Sequence, residues 1–236
     1  MTPTTLGYVF IGGLLPSFIW LYFLLKEDAT HPEPKRLIAF AFIAGMIAVP
    51  LVIPFEIYVR EHLTGGVNFL IGWAVIEEAF KYFIAALLVL WWRAVDEAPD
   101  YVIYMITVAL GFAAAENMLF IGDPLFKGEF LSGLFTNNIR FLGSTLLHVT
   151  ASAIIGFALA FSYHGSPRER IGAAALGLIL AVVLHTAFNL FIMGQGNSPT
   201  LAAFFLVWSA AVMFFAAFEV LKYVQARASS NSTPRS

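Results

Sequence analysis

Apolar residues run through this chain in blocks of about 20, separated by short polar stretches. The blocks cover roughly 6–25, 37–59, 69–92, 101–121, 137–163, 171–193 and 201–223. Each is long enough to cross a bilayer as a helix. The pattern therefore predicts an all-α, polytopic transmembrane bundle of about seven helices. Charges and turn residues collect between the blocks, and the longest connection, 122–136, is expected to hold a short interfacial helix. Pro50 and Pro54 predict a kink in the second helix. From Gln225 onward apolar residues give out, which predicts a single transmembrane domain over 1–224 and a disordered cytoplasmic tail over 225–236.

Composition agrees with that reading. The 236 residues are 60% hydrophobic and only 12% charged, with mean hydropathy +0.82, too apolar for a soluble domain. A net charge of −2 offers no basic footprint for nucleic acid. The absence of cysteine excludes disulfides, thiolate metal sites and a cysteine nucleophile. No basic residue precedes the first block, so it is expected to be a retained helix rather than a cleaved signal.

Basic residues are distributed unevenly. Lys26, Lys35, Arg36, Arg93, Arg168, Arg170, Lys222, Arg227 and Arg235 fall on one side, against Arg60, Lys127 and Arg140 on the other. The positive-inside rule then places the N-terminus outside and the C-terminus inside. Arg140 is expected to anchor at the interface. Glu56, His62 and Glu219, near helix ends, read as solvated.

The third block breaks the apolar pattern. It carries Glu77, Glu78 and Lys81 where lipid would be, and a charge at the bilayer centre costs about 2.5–3.5 kcal/mol on insertion scales. Lys81 follows Glu77 by four residues and Glu78 by three, so on a helix it neutralises either. At about 1.5 Å per residue, Glu77 and Glu78 lie roughly 12 Å below the outer end of their helix. On the same measure Glu116 lies about 8 Å below its outer end, His148 about 16 Å and His185 about 12 Å. Asn189 sits one turn above His185. Four consecutive helices thus bring ionisable groups to similar depth in the outer half of the membrane.

These groups offer hydrolysis. A carboxylate serves as general base on a water, and imidazoles or an amide donate to a developing oxyanion. Two histidines and a glutamate also form a donor set for one zinc, with a further glutamate as base. Other intramembrane proteolytic chemistries fit poorly: Asp28, Asp96, Asp100 and Asp123 fall in expected loops, there is no His-Glu-x-x-His, and Ser132 and Ser144 lack a Gly-x-Ser-Gly setting.

Glu77-Glu78-Ala79-Phe80-Lys81, Phe112-Ala113-Ala114-Ala115-Glu116-Asn117, His148 and His185-Thr186-Ala187-Phe188-Asn189 come in the order and approximate spacing of the PrsW family, which the chain resembles. The stretch 28–37, with Pro32-Glu33-Pro34, is similar too. PrsW proteins in turn resemble the type II CAAX prenyl endopeptidases and the CPBP superfamily. Two departures from that wider pattern stand out. Lys81 comes one residue earlier than the superfamily's arginine, and Glu116 stands where it has a histidine, which favours a cation site here. The resemblance implies a membrane-anchored protein substrate, hydrolysed at the extracytoplasmic side in a site-1-type cleavage, such as that of an anti-sigma factor. It implies a multi-pass protein of a prokaryotic plasma membrane. The expected catalytic set is Glu77, Glu78, His148, His185 and Asn189. Lys81 and Glu116 tune it, and His148, His185 and Glu116 are the zinc ligands if zinc is the cofactor. Other classes that fit the intramembrane charges are a proton- or ion-coupled transporter and an inactive membrane scaffold.

Overall fold

A computed structural model describes residues 3–28, 31–63, 65–131, 143–193 and 197–232. Arg140, expected at the interface, and residues 132–136 of the long connection lie outside the described residues. Among those described there are seven long helices and no strand. They are α1 (Pro3–Glu27), α2 (Lys35–His62), α3 (Gly66–Leu88), α4 (Ala98–Phe126), α5 (Thr145–Phe161), α6 (Pro167–Ile192) and α7 (Asn197–Ser232). The protein is a helical bundle, as the hydropathy pattern predicts.

Among the described residues, five helices are long and apolar enough to cross a membrane: α1, α2, α4, α6 and residues Thr200–Gln225 of α7. Of the other two, α3 holds Glu77, Glu78 and Lys81, and α5 is a 17-residue helix. Side chains such as Phe10, Leu87, Phe205 and Val212 are exposed on the outside of the bundle. In a bilayer that surface meets acyl chains rather than water.

Helix α4 is the axis. Every residue from Val102 to Ala114 is buried, and α1, α2 and α5 pack along it. Small residues let the backbones approach. A Cβ on Gly45 of α2 would run into the Val108 carbonyl of α4, and a Cβ on Gly111 of α4 would run into the Phe42 carbonyl of α2. Gly156 of α5 likewise abuts the backbone of Val102, where a Cβ would stand 2.6 Å from its Cα. These close crossings hold α2 and α5 tightly against α4.

Some local expectations change. Helix α4 extends to Phe126, so Asp100 sits in its first turn and Asp123 near its end, not in loops. Asp100 Oδ2 accepts from the N–H groups of Asp96 and Glu97, both at 2.8 Å, satisfying donors at the start of α4. Ser166 and Glu169 form a capping box ahead of α6, with Pro167 in its first turn. Helix α7 continues to Ser232, past the boundary at 225 expected from composition.

Candidate active site

The charged residues of α3 face inward. Glu78 and Lys81 are 0% exposed, Glu77 5%, His148 1% and His185 2%. Lys81 Nζ donates to Glu78 Oε1 at 2.5 Å, the i, i+3 contact that the helix imposes. The same Glu78 oxygen accepts from His185 Nδ1 of α6 at 2.7 Å. Lys81 Nζ also donates to His148 Nδ1 of α5 at 3.0 Å and lies 4.9 Å from the centre of the Phe112 ring. Three helices are therefore tied through one ammonium and one carboxylate.

These contacts dictate the histidine tautomers. His148 Nδ1 accepts from an ammonium, so Nε2 carries the hydrogen and donates to Glu116 Oε2 of α4 at 2.9 Å. His185 Nδ1 donates to the Glu78 carboxylate, which leaves the Nε2 lone pair pointing away. Nε2 lies 3.9 Å from Glu77 Oε2. The two imidazoles meet edge-on, with centroids 5.6 Å apart at 80°. Asn117 Nδ2 donates to Thr145 Oγ1 at 3.0 Å and pins α4 to the start of α5 beside them.

A cavity of about 380 Å³ opens in front of this cluster. Glu77, Glu116, His148, His185 and Asn189 line it, with Phe112, Leu147 and Ile192 among its apolar walls. Glu78 and Lys81 lie behind that wall. The adjacent acids of α3 thus play different parts. Glu78 uses Oε1 to orient His185 and balance Lys81; Oε2 of both acids is buried without a hydrogen-bond partner among the described residues, but only Glu77 lines the cavity.

Seven residues expected to form the site are brought together, but the donor set differs from expectation. The three ligand-bearing groups whose atoms lie within 4.8 Å of one another are Glu77, His148 and His185. Glu116, expected as the ligand carboxylate, stands instead as the partner of His148 Nε2. Tetrahedral ligands each about 2.0–2.2 Å from one zinc stand about 3.3–3.6 Å apart, so the widest pair in this group has to close by about 1 Å to hold an ion. An orphaned carboxylate oxygen and a free imidazole lone pair are donors such an ion takes. Whichever nitrogen His148 turns to it, Lys81 or Glu116 loses a hydrogen bond.

A profile described as PrsW family intramembrane metalloprotease matches residues 33–221, well over half of the chain. The chain belongs to the PrsW family. Among its relatives is Protease PrsW of Bacillus subtilis (strain 168), 24% identical over 189 residues that make up 79% of this chain and 83% of that protein. Protease PrsW of Clostridioides difficile (strain 630) is 23% identical over 78% of this chain and 79% of its own length. The Geobacillus kaustophilus (strain HTA426) protein of that name is 22% identical over 94% and 95%. No solved structure matches. All the cavity-lining groups just described lie inside the stretch that matches the PrsW profile.

One acidic lining residue was not expected from the sequence. Glu56 of α2, expected to be solvated, is only partly exposed and faces the cavity with Val49, Val52 and Ile53. The signal was present in the spacing. Glu56 follows those three residues at seven, four and three positions, which is one helix face.

Proposed function

We propose that this protein is an intramembrane endopeptidase that hydrolyses a membrane-anchored protein at the cavity of Glu77, His148 and His185. One observation carries the reading: a buried carboxylate oxygen, without a hydrogen-bond partner among the described residues, meets two oriented imidazoles on a cavity wall, in a chain of the PrsW family. Glu77, His148 Nε2 or Nδ1 and His185 Nε2 would hold a zinc ion. Such an ion, when bound, acts as a Lewis acid on the scissile carbonyl and acidifies water. Glu78 keeps the His185 Nδ1–H occupied, so Nε2 stays turned to the cavity. Lys81 balances Glu78, which keeps an unpaired charge out of the bundle. Glu116 Oε2 takes the proton of the attacking water and returns it to the leaving amine. Asn189 donates its amide N–H to the carbonyl oxygen as negative charge develops there.

The positive-inside orientation puts the site near the extracytoplasmic side, in the plasma membrane of a prokaryote. A single-span protein of anti-sigma factor type is the substrate class that the family resemblance favours.

The test is cleavage of a single-span reporter by the purified protein in liposomes, with fragment masses locating the cut. The wild type cuts near the outer end of the span, and Glu77→Gln and His185→Ala lose about a thousandfold or more in rate. Chelation abolishes cutting and zinc restores it. Cutting that resists chelation but not Glu77→Gln would make Glu77 the base and the imidazoles oxyanion donors. An intact reporter, with proton flux abolished by Glu77→Gln, would replace the protease by a carrier.

A further inference from the structure

The charged groups around the cavity pair off, with one remainder. Glu78 is committed to Lys81 and His185, Glu116 to His148, and Glu77 faces His185. Glu56 has no such counterpart among the described residues. The groups that act on it are the indole of Trp73, beside it on the same wall, and the carboxylates of Glu116 and Glu77. Arg60 lies one turn further along α2, at a spacing that suits an ion pair. It lines a separate groove with Leu63, Val67 and Leu190 instead and is not among the groups that act on Glu56. A carboxylate next to an aromatic ring, inside a cavity already rich in acids, is a seat for a cation on a flexible stem.

We propose that Glu56, with Trp73 behind it, is a specificity-determining residue that receives a lysine or arginine of the substrate close to the scissile bond. The inference rests on the proteolytic reading above and names the substrate feature that this site prefers. The apolar residues preceding Glu56 on its face, Val49, Val52 and Ile53, accept the methylene stem, while the carboxylate meets the charged head. Glu116 adds to the field that draws the cation in. No bond is made or broken by Glu56 itself, so it acts on substrate binding rather than on the chemical step.

The experiment uses the full chain in detergent and a set of reporter peptides in which one residue, walked through the positions flanking the cleavage site, is Lys, Ala or Glu. At one position the wild type is expected to prefer Lys over Ala by about tenfold in kcat/KM and to reject Glu. Glu56→Gln should bring the Lys-to-Ala ratio to about one while cleavage of the Ala peptide stays within about twofold, the change falling in KM. Glu56→Lys should favour the Glu peptide. Equal cleavage of all three peptides by the wild type, or a Lys preference that survives Glu56→Gln, overturns the proposal. Binding of the labelled peptides, read by fluorescence anisotropy without any cut, separates this claim from the activity. Tighter binding of the Lys peptide that Glu56→Gln removes, with no cleavage, sustains the cation seat and refutes the protease.

Discussion

Two buried acid clusters lie along α4, about 24 Å apart from Asp100 to Glu116 at 1.5 Å per residue, and they are built on opposite rules. At the start of the helix the members are acids and a phenol. Tyr104, fully buried, donates to Glu33 from the α1–α2 connection, and Asp100 sits against Glu33 while accepting two backbone N–H groups. Burial, and then the charges of Asp100 and Glu97, push Asp28 up to about 7. Burial raises Glu33 as well. This cluster satisfies itself by keeping protons. In the middle of the bundle the acids alternate with an ammonium and two imidazoles that partner them, and a cavity opens beside them. A buried acid becomes chemically useful where bases fix its geometry and leave one oxygen facing a space.

The largest effect should separate the two clusters directly. Glu77→Gln is expected to remove reporter cleavage, whereas Asp28→Asn should leave the rate within about twofold, because it touches no reacting atom. Equal losses from both would show that the clusters act as one unit.

A second test concerns Lys81. Removing one partner of a buried pair leaves the other charge uncompensated, at about 3–5 kcal/mol. Lys81→Met should therefore destabilise the protein by that order in reversible unfolding. Adding Glu78→Gln should restore a large part of the loss, while activity stays low because His185 Nδ1 then faces a neutral amide in place of a carboxylate. A double variant no more stable than Lys81→Met would mean that Lys81 serves packing against Phe112 instead.

In the proton-keeping cluster, Tyr104→Phe removes a buried hydroxyl and leaves Glu33 short of a donor. The expected cost is about 1–3 kcal/mol, with reporter cleavage preserved per folded molecule. The smallest effect is one of pH. Asp28 titrates higher in the folded chain than the usual 3.8, so the unfolded chain binds fewer protons between those values. Stability from this group is present below about pH 4 and is lost as pH rises towards about 7. Asp28→Asn should flatten that slope, raising Tm at pH 8 by about 2–4 °C. A slope unchanged in Asp28→Asn would assign it to other groups.

Much of the site was legible because lipid makes charge conspicuous. Glu77, Glu78, Lys81, His148 and His185 stand out in apolar runs, and helix rise alone put them at one depth. The division of labour between Glu77 and Glu78 was not legible. Adjacent residues on a helix point about 100° apart, and which one meets His185 and which the cavity depends on how α3 is rotated against α6. Glu116 became the partner of His148 for the same reason: its distance to each imidazole depends on how α4 crosses α5. Glu56 was passed over because it lies near the end of its run, although its face is that of Val49, Val52 and Ile53. The seven-helix count came from run lengths. The acid cluster around Asp100 was hidden, since its members come from segments that read as loops.

The most direct test of the central claim is the zinc content of the purified full-length protein and its variants. The account predicts about one zinc per chain in the wild type and in Glu116→Gln, and a loss to trace levels in Glu77→Gln and in His185→Ala. Zinc retained in both of those variants, or a fully active wild type with no metal above trace, would contradict it.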